Sequence, residues 1–169
     1  MKRSSSHIQT GRLWLRQIDE TDAEYIVKTR SDESVYQYFF DPKKLSLEEH
    51  MEWYMNMYIS SDDRIDWVAI DDEDGTFIGV YGIKGMDSNE IEVSYITSSE
   101  KAHKGYATEA VNAIIGWCRA HFDVNAFFVR IHKDNEGSIR FARSIGFKEI
   151  EREGSFLRMI LEDLNVSSE

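Results

Sequence analysis

Cysteine and proline are nearly absent from this chain, which has one of each among 169 residues. Because Cys118 stands alone, an internal disulfide and a paired-cysteine metal or redox site are excluded, and its helical spacing predicts a buried thiol. Long apolar runs are missing too, since no stretch approaches the roughly 20 residues that span a bilayer. The basic start at residues 1–6 has no apolar segment after it, so no secretory signal is expected. Together these absences predict a cytoplasmic protein with no membrane partner.

Positive charge is scarce as well, with 20 lysines and arginines against 31 aspartates and glutamates and a net charge of −11. This balance argues against a nucleic-acid partner and is compatible with a cationic acceptor such as an amine. The phosphate-binding patterns GxxxxGKS/T and GxGxxG are missing, which excludes nucleotide-kinase and dinucleotide-binding functions. The five histidines include no HExxH pair, so no metal site is expected.

The length and the 41% hydrophobic content predict one globular domain over residues 1–169, with residues 1–9 as a flexible lead-in. Hydrophobic periodicity predicts a mixed α/β fold in the order β-α-α-β-β-β-α-β-α-β-β, with an antiparallel start and one parallel crossover. The secondary structure of the aromatic segment 34–40 is ambiguous from the sequence. The predicted strands cover 11–18, 66–71, 76–86, 90–97, 126–132, 148–151 and 155–162, and the predicted helices cover about 23–30, 46–59, 105–122 and 137–145.

The most informative stretch lies at residues 101–110, where an alternating strand passes through a small-residue loop into a long amphipathic helix. The first backbone N–H groups of such a helix have no partner inside it, and the helix dipole makes that end positive. Lys101, His103 and Lys104 add cations there in a chain that is acidic overall. The stretch therefore predicts a phosphate site, although an ordinary strand-to-helix turn with solvated lysines has the same pattern.

Two motifs in sequence order resemble those of the GNAT superfamily of acyl-CoA-dependent N-acyltransferases. In the first, Q/R-x-x-G-x-G/A, Gly105 and Ala107 fit the last two fixed positions. Ala102 replaces the usual Gln or Arg of that motif, and His103 replaces a common Gly. The second motif, N-x-x-A/S followed about eight residues later by G-F, matches residues 135–147. The ordered pair is far more specific than either motif alone.

The opening segment 10–16 is similar to the branch of this family that contains the ribosomal-protein N-terminal acetyltransferases. The resemblance implies a mostly antiparallel central sheet flanked by helices, with acetyl-CoA as cosubstrate and no metal. Asn135 would contact the cosubstrate or cap the next helix. The other implied cofactor contacts are His103, Lys104, Gly105, Tyr106, Ala107 and Thr108 at the pyrophosphate, Tyr95, Ile96 and Thr97 along the pantetheine arm, with the Ile96 N–H polarising the thioester, and Ser138 and Phe141 near the arm.

Acetyl transfer to an amine needs a base, because the acceptor is protonated at neutral pH. Glu92 is the leading candidate, since the branch often has the pattern E-x-x-Y, here Glu92 to Tyr95. A solvent-facing strand carboxylate is the alternative for Glu92. Glu90, at the mouth of the same strand, is the second candidate base. Ala142 occupies the position where many members have a tyrosine that acts as the acid. Ser138 is then expected to hydrogen-bond the CoA sulfur, or else to cap its helix.

The resemblance implies direct attack of the amine on acetyl-CoA in a ternary complex, and homodimers are common in the family. The acceptor stays open between a protein N-terminus, a polyamine and another small amine. Residues 36–57 offer aromatic and acidic side chains that suit a cation, or that form a core face and a solvated face. Because the usual acid is missing, the alternative function is a non-catalytic acyl-CoA-binding sensor or scaffold domain.

Overall fold

The computed structural model describes residues 6–162 and has the mixed α/β fold that the sequence predicts. The strands are β1 Ile8–Gln9, β2 Leu13–Gln17, β3 Arg64–Asp71, β4 Phe77–Lys84, β5 Glu90–Thr97, β6 Ala126–His132, β7 Lys148–Glu153 and β8 Phe156–Glu162. The helices are α1 Ala23–Arg30, α2 Glu33–Tyr36, α3 Leu47–Trp53, α4 Tyr106–His121 and α5 Glu136–Ile145. The predicted order is confirmed, with β1 and α2 as two short additions.

The additions have local causes. Helix α2 lies in the ambiguous aromatic segment, and the Asp32 carboxylate starts it by accepting a hydrogen bond from the Ser34 N–H at 3.0 Å. Strand β1 pairs with β2, and the Ser6 carbonyl accepts a hydrogen bond from the Trp67 indole N–H. The expected flexible lead-in is therefore wrong for residues 6–9, while residues 1–5 lie outside the described part of the chain.

One sheet of eight strands, in the order β1-β2-β3-β4-β5-β6-β8-β7, forms the centre of the fold. Every neighbouring pair is antiparallel except β5 and β6, which are parallel. Their pairing runs only from Glu90 opposite Ala126 to Glu92 opposite Phe128, although both strands continue further. The two strands therefore separate beyond Glu92 and leave a V-shaped opening in the middle of the sheet.

Helices cover both faces of the sheet and bury a core on each side. On one face, α4 and α5 pack their apolar residues, among them Ile114 and Ala142, against Trp67 and Phe127. Cys118 lies in this core, as its spacing predicts, and burial raises the pKa of its thiol to about 12. On the other face, a smaller cluster joins the α1 and α3 side to the sheet; its buried members are Ile18, Ile26, Tyr54, Tyr58 and Val68.

The α3 segment shows how local chemistry places a buried histidine. Ser46 caps the helix by accepting a hydrogen bond from the Glu49 N–H at 3.0 Å. The helix continues without a break into a π-helical turn over Tyr54–Tyr58, so the predicted helix over 46–59 is confirmed. This run turns His50 inward, where its side chain is only 2% exposed.

Candidate active site

The V-shaped opening between β5 and β6 leads into a cleft of about 510 Å³. On the α4 and α5 side its wall includes Tyr95, Asn135 and Ser138. On the opposite side it is lined by residues from α1, from α2 and the segment after it, and from the sheet, which are Arg30, Ser34, Val35, Tyr38, Phe39, Phe40, Asp41, Arg64, Glu92 and Arg130. We call these two sides the cofactor half and the acceptor half.

The start of α4 has the geometry of an anion site. Gly105 precedes the helix with a φ of 80°, a left-handed conformation that glycine adopts without strain. No side chain of residues 6–162 caps this end, so the first N–H groups of the helix, including those of Tyr106, Ala107 and Thr108, point outward. His103 has a φ of 60°, which explains why glycine is common at its position in the family motif.

Arg12, which directly precedes β2, holds this loop by hydrogen bonds. Its backbone N–H and its Nε donate to the Glu109 carboxylate at 3.1 and 2.9 Å, and its Nη1 donates to the Lys104 carbonyl at 3.0 Å. Its guanidinium carbon lies 4.3 Å from the centre of the Tyr106 ring. Arg12 therefore holds the anion-binding loop in place. Sequence reasoning missed it, because its partners lie more than ninety positions further along the chain.

The backbone of β5 presents different N–H groups to the cleft from the one expected. Ser98 N–H donates to the Ile78 carbonyl at 2.8 Å, and Val80 lies opposite Ile96 in the same antiparallel register. Hydrogen-bonded pairs alternate along such a ladder, so the Ile96 N–H points toward β4. The expectation that this N–H faces the thioester is corrected: the donors on the β6 side belong to Tyr95 and Thr97.

Residues 135–141 order the opposite wall of the cofactor half. Asn135 caps α5 by accepting a hydrogen bond from the Ser138 N–H at 3.2 Å, so its helix-cap interpretation is confirmed and Ser138 is not the cap. The Ser138 Oγ lies 2.8 Å from the Tyr95 hydroxyl. Phe141 packs edge-to-face on Tyr95 with ring centres 4.7 Å apart. Burial raises the pKa of Tyr95 to about 12, so its hydroxyl stays protonated at neutral pH.

The Tyr95 hydroxyl therefore reaches this wall from the sheet, whereas the tyrosine of many family members would come from α5. Ala142, which stands where many family members have their tyrosine, is fully buried. Tyr95 comes from β5 and extends across to Ser138. The sequence contains a signal for this replacement, since Tyr95 belongs to the E-x-x-Y pattern, but the contact itself joins two distant elements.

Glu92 lies in the cleft and is held by an ion pair. Arg130 on β6 donates to both of its carboxylate oxygens, from Nε at 2.9 Å and from Nη2 at 3.1 Å. The same guanidinium carbon lies 5.0 Å from the centre of the Phe40 ring. The Glu92 side chain is 21% exposed, so it is neither buried nor a freely solvated carboxylate. To accept a proton it must first release at least one of these charge-assisted hydrogen bonds.

Arginines, rather than carboxylates, dominate the rest of the acceptor half. Arg30 and Arg64 line the cleft beneath Phe39 and Phe40. The sequence suggested that carboxylates of α3 could bind a cation. These carboxylates are exposed and do not line the cleft; they are Glu48, Glu49 and Glu52. No sequence pattern identified the arginines, because they come from α1 and β3 and meet only in the folded chain.

Nothing in the described residues adds a metal or a membrane span. No group of three or more histidine, cysteine or acidic side chains within residues 6–162 has a geometry that could hold a metal ion. No helix in the same range is long and apolar enough to cross a bilayer.

An antiparallel sheet that opens at one parallel pair, beside an uncapped helix start, defines an acyl-CoA-dependent transferase site. The chain belongs to the acetyltransferase (GNAT) domain family, whose sequence profile matches residues 12–148. Acetyl-CoA is the cosubstrate of this family, and the chain is an N-acetyltransferase domain. The family assignment therefore agrees with the resemblance of the two motifs.

The chain is also similar to individual proteins in sequence or in fold. The uncharacterized N-acetyltransferase YnaD of Bacillus subtilis is 25% identical over 154 residues, which are 91% of this chain and 88% of YnaD. An uncharacterized protein of Methanocaldococcus jannaschii is 24% identical over 148 residues, or 85% of this chain, but the chain spans only 30% of that protein. The fold is similar to a spermidine N-acetyltransferase of Vibrio cholerae, solved with CoA and spermine, with a TM-score of 0.80, 19% identity and coverage of 90% of this chain and 96% of that one.

Proposed function

We propose that this protein transfers the acetyl group of acetyl-CoA to a primary amine by direct attack in a ternary complex. One observation carries the proposal: the gap between β5 and β6 connects an anion-binding helix start on the cofactor half with a polar acceptor half. An amine bound in the acceptor half would reach a thioester that lies in the gap. No covalent enzyme intermediate is required.

The cofactor half binds and orients acetyl-CoA. The backbone N–H groups from His103 to Thr108 donate hydrogen bonds to the pyrophosphate, with Lys104 adding charge. The pantetheine arm follows β5 through the gap, alongside Phe141. The thioester carbonyl accepts hydrogen bonds from the N–H groups of Tyr95 and Thr97, which stabilise the negative charge of the tetrahedral intermediate.

Glu92 is the proposed base. The incoming ammonium competes with Arg130 for the carboxylate, and one of its protons moves to Glu92. The neutral amine then forms the C–N bond with the thioester carbon, and the carbonyl becomes an oxyanion. When the oxyanion collapses, the C–S bond breaks and CoA leaves as a thiolate.

Tyr95 and Ser138 act on the leaving group. The pair presents two hydroxyls at the cofactor wall, and one can donate a hydrogen bond to the thiolate while the other donates to its neighbour. Because the pKa of Tyr95 is raised to about 12, full proton transfer from it to a thiolate is unfavourable. The proton that neutralises the thiolate comes instead from the acylated nitrogen, directly or through water.

Two observations favour a second candidate, a non-catalytic acyl-CoA-binding domain. Glu92 is already paired with Arg130, and Ala142 provides no acid. Turnover separates the two functions, whereas binding of acetyl-CoA does not.

The test is release of CoA thiol from acetyl-CoA with an amine panel. The similarity of residues 10–16 to the ribosomal-protein branch supports including peptide N-termini. The polyamine in the Vibrio cholerae structure supports including spermidine, and amino sugars and aminoalkyl phosphates complete the set. Amine-dependent release is expected for one class. Binding of acetyl-CoA with no release from any class would favour the sensor function.

A further inference from the structure

Arg30 lies in the wall of the cleft, and its buried Nε has no hydrogen-bond partner among residues 6–162. Its guanidinium forms no hydrogen bond or ion pair with any other residue of the 6–162 range, and its closest ring contact is Phe39, with 5.1 Å from the guanidinium carbon to the ring centre. Burial of an unpaired charge costs free energy, so such a group is retained where a ligand pairs with it.

A second guanidinium lies beside Arg30. Arg64 donates to both oxygens of Asp66, at 2.7 and 3.2 Å. Burial and then the charge of Arg64 lower the pKa of Arg30, while the Asp66 carboxylate raises it, and an arginine starting at 12.5 stays charged near neutral pH. Two guanidiniums and one carboxylate leave one positive charge in the cluster. That charge is opposite in sign to the −11 of the whole chain.

A small cavity of about 40 Å³ is bordered by the same arginines. His50 borders it too, and no residue in the described range forms a hydrogen bond with its ring. Burial first, and then the charge of Arg30, lower the pKa of His50, so the imidazole is neutral and has one N–H to donate. The cavity wall therefore offers donors from three side chains around one unpaired positive charge.

The sheet keeps this space open and places it near the proposed base. Asp66, Gly82 and Ser94 lie opposite one another on three neighbouring strands. A Cβ on Gly82 would lie 2.2 Å from the Asp66 Oδ1, so glycine is needed there for the carboxylate to hold Arg64. Glu92 precedes Ser94 by two positions on β5 and so lies on the same face, roughly 7 Å away.

We propose that the acceptor amine carries an anionic group, a carboxylate or a phosphate, which binds Arg30 and Arg64 with a further hydrogen bond from His50, while its amine reaches Glu92. This substrate class rests on the proposed acetyltransferase function. A polyamine fits this half of the cleft poorly, because Glu92 is paired with Arg130 and the remaining carboxylate, Asp41, is exposed with Lys43 at 3.6 Å.

The test compares matched amines that differ only in the anion. Ethanolamine phosphate is set against ethanolamine, a dipeptide against its C-terminal amide, and spermidine is added, with thiol release as the readout. We expect the anionic member of one pair to be preferred about tenfold or more in kcat/KM, on the scale of a charge-assisted hydrogen bond. The pair that shows the preference identifies phosphate or carboxylate.

Arg30→Gln should remove that preference, because it lowers kcat/KM for the anionic amine far more than for the matched neutral amine. Lys28→Gln is the matched control, since it removes the same charge from the exposed side of the same helix. Equal rates for both members of each pair, a preference for spermidine, or an unchanged preference in Arg30→Gln would each overturn the inference.

A second readout separates this inference from the proposed function. If no amine is acetylated, the function fails, and the anion site is judged by the melting temperature in inorganic phosphate and in acetate. A rise in the wild-type protein that Arg30→Gln abolishes and Lys28→Gln keeps supports the site. The same response in wild type and Arg30→Gln contradicts it.

Discussion

The two halves of the cleft present different kinds of groups to a ligand. The cofactor half presents backbone N–H groups at the start of α4 and along β5, in a loop that Gly105 and Arg12 hold in place. The acceptor half presents charged side chains that come from α1, β3, β5 and β6. Backbone recognition depends on a short contiguous segment, whereas side-chain recognition depends on residues that meet only after folding.

The two halves also differ in how their arginines are paired. Arg12 in the cofactor half has hydrogen-bond partners on both Nε and Nη1, while Arg30 in the acceptor half has none within residues 6–162. An arginine whose donors pair with other groups of the protein stabilises the fold. An arginine without such partners gains binding free energy when it pairs with a charged ligand.

Glu92→Gln should affect the acceptor half alone. We expect kcat to fall about 100-fold or more near neutral pH, the usual scale for loss of a general base, with the Kd of acetyl-CoA unchanged by calorimetry. Glu90→Gln is the control, because Glu90 lies on the same strand and pairs with Arg158 at 2.6 Å. Wild-type turnover in Glu92→Gln would remove this residue from the mechanism.

Arg16 and Arg30 should respond differently to replacement by methionine. Arg16 donates to both oxygens of the buried Asp22, at 2.8 and 2.6 Å, so Arg16→Met should lower the free energy of unfolding by about 2 kcal/mol. Arg30→Met removes a buried charge without a partner and should leave that free energy unchanged or raise it. Urea denaturation of both variants measures the two effects. Equal losses would mean that Arg30 has a structural partner.

Arg12→Gln should loosen the cofactor half without affecting acceptor preference. We expect the Kd of acetyl-CoA to rise about tenfold, because the loop that carries the anion-binding N–H groups loses the contacts with Lys104 and Glu109. Arg152→Gln, at an exposed position on β7, controls for loss of charge. Calorimetric titration measures the change, and an equal Kd in both variants would show that Arg12 does not support the loop.

His103→Gly should stabilise the protein slightly. His103 has a φ of 60°, and relief of a left-handed strain of about 1 kcal/mol is partly offset by the entropy of glycine. A net gain of about 0.5 kcal/mol in unfolding free energy is expected. Lys104→Gly, at the neighbouring position without a positive φ, should lose stability under the same urea titration, and equal effects at both positions would contradict the strain.

His50 should make stability depend on pH in a specific direction. Its pKa lies below the ordinary 6.5, because burial and Arg30 disfavour the charged imidazole. Below pH 6.5 the unfolded chain therefore binds a proton that the folded chain does not, and stability falls as the pH is lowered. His50→Gln should lose less stability than wild type between pH 7 and pH 5.5. Parallel curves for the two proteins would show that His50 does not contribute.

The regular elements and the cofactor half were largely predictable from the sequence. Hydrophobic patterning predicted β5 and β6 with their observed bounds and placed the start of α4 after the loop at Gly105. The cap at Asn135 was one of the two roles expected for that residue. These features depend on neighbouring residues only. Residues 6–9 were the exception, because pairing of a two-residue strand depends on β2 and Trp67 rather than on its own pattern.

The acceptor half was not predictable in the same way. The Glu92–Arg130 pair depends on the parallel register of β5 and β6, and the direction of the Ile96 N–H depends on the register with β4. Arg30 looks in the sequence like an ordinary basic residue at the end of a helix. Only the fold shows that it lines the cleft and that its buried Nε has no hydrogen-bond partner in the part of the chain that the structure describes.

Direct acetyl transfer between the two halves is the central claim, and mass spectrometry of an isotope-labelled acetyl group tests it most directly. The protein is incubated with labelled acetyl-CoA and the preferred amine, and both the amine and the protein are weighed. The ternary mechanism predicts the label on the amine and none on the protein at any time. A labelled protein, or acetyl-CoA that stays intact in the presence of every amine, would contradict it.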